Sequence, residues 1–69
     1  MRLSARNQLT GTVAAIAVGA VMTVVKADLD GGQQITASIT KDAAEDLGLT
    51  VGARVTAVVK STEVMIGVD

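Results

Sequence analysis

Thr40-Lys41-Asp42-Ala43-Ala44-Glu45-Asp46-Leu47-Gly48-Leu49 is the stretch on which the fold turns, because it alone carries the marks of a helix in a chain otherwise patterned for strands. Thr40 can cap the first turn with its hydroxyl, Asp42 suits the positive end of the helix dipole, and Gly48 can take the left-handed position that ends a helix. Ala43, Ala44 and Leu47 fall on one face, which is expected to plug one end of a barrel, with Leu49 packing behind it.

Outward from this segment, Val, Thr and Ile are frequent, proline is absent, and turn signals recur at Gly19, Asp30-Gly31-Gly32, Gly48, Gly52 and Ser61-Thr62. That punctuation predicts strands over 9–18, 20–29, 34–39, 54–60 and 64–68. Asp30-Gly31-Gly32-Gln33 reads as a hairpin connection, since glycine supplies the positive φ such turns require. Alternation sets Val55, Ala57 and Val59 against Arg54, Thr56, Val58 and Lys60, and Ile35, Ala37 and Ile39 against Thr36, Ser38 and Thr40. In the first strand Val13, Ala15 and Ala17 oppose Ala14, Ile16 and Val18, so both faces are apolar and one is expected to meet another subunit. The expected fold class is all-β: a five-stranded OB-like barrel with one short helix between strands 3 and 4.

The 69 residues allow one small domain, taken here as 1–69, and a domain of this size is thermodynamically marginal. The usual staples are missing, because the chain has no cysteine and no histidine. It also has no aromatic residue, so its 49% hydrophobic content must come from small and aliphatic side chains. Association with copies of itself is the expected way to complete a core. A net charge of −1 and the lack of any aromatic to stack on bases argue against a nucleic-acid binder. Arg2 and Arg6 followed by the apolar run 13–25 superficially resemble a secretory leader. The run is too short for a membrane span, however, Gly19 interrupts it, and Val25-Lys26-Ala27 is a poor cleavage site. Strands in a cytoplasmic protein, with no membrane segment, are the expectation.

Catalysis finds little support. No nucleophile elbow, phosphate loop or histidine–cysteine arrangement is present, so no enzyme is expected. Asp42, Glu45 and Asp46 lack the spacing of a calcium loop and read as a solvated helix face, which leaves no expected cation ligands. Donors make a better case. Ser4 and Arg6 precede the first strand, Thr40 ends the third, and Lys60 and Ser61 end the fourth. No acidic residue occurs before Asp28. Hydroxyls and cations at strand ends can converge on an anion. Each also has a plainer use: Thr40 as a helix cap, Lys60-Ser61 as a strand exit, Arg6 as a partner for an acid such as Asp69.

Ser4-Ala5-Arg6-Asn7-Gln8-Leu9-x-Gly11-x-Val13, then Gly19-Ala20-Val21, Ile39-Thr40, Leu47-Gly48-Leu49-x-x-Gly52 and Val58-Val59-Lys60-Ser61-x-x-Val64, together resemble the molbindin (Mop) family of small cytoplasmic molybdate-binding proteins. The resemblance covers nearly the whole chain. It implies an OB-type barrel, a hexamer built as a trimer of dimers, and molybdate or tungstate bound as an oxyanion at subunit interfaces. Matched by position, it places Ser4, Arg6, Thr40, Lys60 and Ser61 around the anion and the backbone amides of Gly19, Ala20 and Val21 at a second site. Glu63 departs from the family pattern and brings a negative charge near the first site. Oxyanion storage and homeostasis is the implied function, with a stand-alone sensing module that signals to a partner protein as the alternative.

Overall fold

The computed structural model describes residues 1–69. Its four strands are β1 (Asn7–Val18), β2 (Met22–Leu29), β3 (Gln34–Thr40) and β4 (Arg54–Val59), with one helix, α1 (Lys41–Asp46), between β3 and β4. They form a single antiparallel sheet in the order β3-β2-β1-β4. The expected fifth strand over 64–68 is absent. A 3-10 turn over Ser61–Glu63 follows β4, and the residues beyond it run free of the sheet. Strand pairing needs a free edge to accept it, and no edge of this chain takes up the segment. The fold is therefore a curled, four-stranded half-barrel rather than a closed five-stranded one.

Local chemistry accounts for the elements. The Thr40 hydroxyl accepts a hydrogen bond from the Ala43 N–H at 3.0 Å, which satisfies one of the donors left over at the start of α1. At the other end Gly48 has φ 62°, and its N–H donates to the Glu45 carbonyl at 3.0 Å while that of Leu49 donates to Ala44 at 3.2 Å, the paired bonds of a Schellman stop. The β2–β3 hairpin places Gly32 at φ 99°, as the Asp30-Gly31-Gly32 reading requires. The apolar run 13–25 divides at Gly19 into β1 and β2.

β1 departs from simple alternation. Val13 pairs with Ala27 and Ala15 with Lys26, so Ala14 has no partner and forms a bulge. The extra residue reverses the phase of the strand. Val13, Ile16 and Val18 share the inner face with their partners Ala27, Val25 and Thr23, while Ala15 and Ala17 turn outward. Val13, Ala15 and Ala17 therefore do not lie on one face as strict alternation expects.

The inner face is unfinished. Only five of 69 residues are buried, and Val13, Val25 and Ala27 make up the hydrophobic core. The rest of that face forms an open apolar groove of about 160 Å³ between the β3 and β4 edges, lined by Ile35, Ala37, Ile39, Val55 and Ala57 among others. α1 covers it poorly, since Leu47 is 69% exposed. The chain exposes 5304 Å², roughly 1300 Å² more than the surface of about 4000 Å² typical of a compact monomer of 7.0 kDa. Its radius of gyration, 12.6 Å, likewise exceeds the value of about 11 Å for a compact domain of this length.

Two contacts hold the half-barrel's shape. A Cβ built on Gly11 would lie 2.5 Å from the Asp28 carbonyl oxygen, so only glycine lets β2 approach there. Beside it Arg54 donates to both carboxylate oxygens of Asp30 at 2.8 Å, and Thr10 donates to the same carboxylate at 2.8 Å. This fork ties the hairpin to β4 and β1. The hydrogen bonds from Arg54 and then Thr10 hold the Asp30 carboxyl at about 2, below its ordinary 3.8, and Asp30 raises Arg54 in turn.

Two outcomes follow for stability at fixed protein concentration. Gly11→Ala should cost about 1–3 kcal/mol through overpacking, a loss of at least about 4 °C in melting temperature for so small a domain; an unchanged melting temperature would refute the close approach. A depressed carboxyl contributes stability above its ordinary 3.8 and loses it as pH falls through about 2. Asp30→Asn should therefore melt below the wild type at pH 6 and converge with it near pH 2, whereas parallel pH profiles would show that the fork contributes nothing.

Candidate anion site

The antiparallel pairing of Asn7 with Val59 sets residues 4–6, just before β1, beside residues 60–62, just after β4. A cleft of about 360 Å³ lies between these arms, lined by Ser4, Ala5, Arg6, Lys60, Ser61 and Thr62. Two cations and three hydroxyls face it, and no carboxylate lines it. The Gln8 carboxamide donates to the Ala5 carbonyl at 2.8 Å and fastens the first arm to the strand. The second arm is held by the 3-10 turn, in which the Glu63 N–H reaches the Lys60 carbonyl at 2.9 Å.

Four of the five expected site residues thus meet: Ser4, Arg6, Lys60 and Ser61. Arg6 makes no salt bridge, so pairing with Asp69 is not its role; the ion pair of this chain is Arg54–Asp30. Thr62 joins the cleft, and sequence spacing did not single it out. It lies in the 3-10 turn that follows Lys60.

Thr40, expected with these four, is elsewhere. It pairs with Met22 at the end of β2 that adjoins Val18, so it sits at the opposite end of β1 from Arg6 and two strands away from β1. Its neighbour there is the Gly19–Val21 turn, joined to it through a 2.7 Å bond from the Lys41 N–H to the Val21 carbonyl. Of the three expected backbone donors in that turn, Gly19 is already committed, since its N–H donates to the Met22 carbonyl at 2.8 Å. The Ala20 and Val21 amides have no backbone acceptor in the chain. Thr40 uses one lone pair on α1, which leaves its O–H proton available.

Two groups of donors therefore stand at opposite ends of the twelve-residue β1. One is cationic, the other neutral, and a single small anion cannot touch both within one chain.

The TOBE domain model matches residues 3–66. Molybdenum-pterin-binding protein 2 of Clostridium pasteurianum is 50% identical over 66 residues, spanning 96% of this chain and 97% of that protein. The chain belongs to the TOBE-domain family of molybdenum-pterin-binding (Mop) proteins. Among solved Mop structures, MopII from Clostridium pasteurianum superposes with a TM-score of 0.93 at 48% identity, covering 97% of this chain and 100% of that one. ModG, a cytoplasmic molybdate-binding protein solved with molybdate bound, gives a TM-score of 0.95 at 51% identity, and this chain spans 49% of it. The half-barrel with one short helix is thus a Mop fold, and the relatives are named for binding and transport rather than for a reaction.

Proposed function

We propose that residues 1–69 form one Mop domain that binds molybdate or tungstate in the cytoplasm, storing and buffering the oxyanion without turnover, at sites built between copies of the chain. The observation that carries this reading is the cleft between the two arms, lined by two cations and three hydroxyls with no carboxylate among them. Molybdate is a tetrahedral dianion with acceptor oxygens alone, so hydroxyls, Arg6 and Lys60 satisfy it through charge-assisted hydrogen bonds.

Support for a shared site comes from burial. Ser4, Arg6, Lys60 and Ser61 are all exposed in the single chain, and in water two unit charges 4 Å apart gain only about 1 kcal/mol. Tight capture of a dianion needs that cleft covered. A second copy supplies a cover, and its Thr40 with the Ala20 and Val21 amides supplies the missing neutral donors. The two sites implied by the family resemblance then become halves of one.

Support for assembly comes from the unfinished inner face. Val64, Ile66 and Val68 alternate with other residues along the segment after the 3-10 turn, and Ile66 and Val68 are 89% and 95% exposed. The β3 and β4 edges are unpaired, with the apolar groove between them. The 64–68 segment of one copy is the strand that would close the barrel of another, and burying each such side chain is worth about 1.5–3 kcal/mol. A hexamer, as a trimer of dimers, is the assembly we adopt.

Titration calorimetry with molybdate tests the reading. Arg6→Ala and Lys60→Ala each remove a charge-assisted bond worth about 1.5–3 kcal/mol and should weaken binding more than about tenfold. Thr62→Ala removes one neutral hydroxyl and should weaken it less. Equal affinities in all three variants would overturn the site, and an absence of heat in the wild type would overturn the function.

A further inference from the structure

Lys41 and Glu45 stand at the ends of α1 that suit them least. A cation on the first residue opposes the positive end of the helix dipole, a carboxylate in the last turn opposes the negative end, and lysine four residues before glutamate is the poorer order for a pair along a helix. The two form no ion pair, since the salt bridge of this chain is Arg54–Asp30. Charges that break local preference without a compensating contact point to a function.

Both line a pocket of about 240 Å³ between α1, the loop after it and the far half of β1. Ile16, Val18 and Leu49 give it aliphatic walls, and Thr23 and Thr50 add hydroxyls. Thr23 is fully buried and its hydroxyl has no hydrogen-bond partner. Buried polar groups are satisfied as a rule, by protein or by something bound. The side chains of Lys41, Glu45 and Thr50 make no hydrogen bond within the chain either. Thr23 pairs with Val18 on the inner face of the sheet, whereas its neighbour Met22, paired with Thr40, looks out from the other face. The pocket is therefore separate from the Thr40 donors, and it lies at the opposite end of β1 from the Arg6–Lys60 cleft.

We propose that this pocket is a further binding site, for a small zwitterion of the α-amino acid class that carries a hydroxyl on its side chain. Lys41 and Glu45, one helical turn apart, match a ligand with both charges: its carboxylate bonds to Lys41 and its ammonium to Glu45. An oxyanion would meet Glu45, and a cation would meet Lys41. The walls are aliphatic and the chain has no aromatic ring to stack on, which suits an aliphatic ligand over a flat heterocycle. At about 240 Å³ the space is below the range of about 300–1,000 Å³ for drug-sized ligands, so the occupant is small. The Thr23 hydroxyl sets the remaining requirement, a hydrogen-bonding group at the inner end. A site with a buried hydroxyl to satisfy rejects the analogue that lacks the matching group.

Magnetic-resonance titration of the full-length protein with free L-threonine, and with L-valine, which replaces the hydroxyl by a methyl group, tests this. L-Threonine should saturate, with the amide shifts centred on Thr23, Lys41, Glu45 and Thr50, and should bind at least about tenfold more tightly than L-valine. Lys41→Met and Glu45→Gln should each weaken L-threonine at least about tenfold. Thr23→Val should bring the two ligands to equal affinity and, by removing an unpartnered buried hydroxyl, should raise the melting temperature of the ligand-free protein. No saturation by L-threonine, shifts centred elsewhere, equal affinity for L-valine in the wild type, unchanged affinity in the two charge variants, or a lower melting temperature in Thr23→Val would each overturn the assignment.

Discussion

An apolar sheet face that its own chain cannot cover is the constraint on which the rest of this structure depends. With no aromatic side chain and 49% hydrophobic residues of mostly small size, the polypeptide builds a half-barrel and stops. Val13, Val25 and Ala27 close over one another, whereas Ile35, Ile39, Val55 and Leu47 look into an open groove. The surface left over, roughly 1300 Å² beyond that of a compact monomer, is larger than the share of about 800 Å² each partner contributes to a standard protein interface.

The same incompleteness divides the anion chemistry. β1 is long enough to carry a cationic group of donors at its Asn7 end and a neutral group at its Val18 end, and the sheet order keeps them apart. A dianion in an exposed, high-dielectric cleft gains little. In the shared-site reading proposed above, halves on different copies let assembly supply the desolvation that charge pairing needs, and each free chain keeps its cations in water. Glu63, one turn beyond Lys60, adds a negative charge just outside the lining rather than in it. Its position tempers the field of the cleft without giving the anion an acceptor to oppose.

What could be read from the residues was what depends on short range. The Thr40 cap, the Gly48 stop and the Gly32 turn each need only a few neighbouring residues, and all three formed as their chemistry dictates. The family signature beginning at Ser4–Gly11 identified the all-β class with its one short helix but not the strand count, and it grouped Ser4 and Arg6 with Lys60 and Ser61, which line one cleft. Three features were not legible. The bulge at Ala14 sits in a run apolar on both faces, so no polar residue marks the change of phase. The separation of Thr40 from Arg6 is set by the Met22–Thr40 register, a long-range property that spacing does not encode. The 64–68 segment has the pattern of a strand, but a strand forms only where an edge accepts it, and no edge of this sheet takes the segment up.

The most direct test of a site shared between copies is crystallographic. Crystals grown with molybdate and measured across the molybdenum absorption edge locate the anion independently of the protein map. The account requires an anomalous peak bounded by Arg6 and Lys60 of one copy and by Thr40 of another. A peak bounded by the residues of one chain alone, or one remote from Arg6 and Lys60, would contradict it.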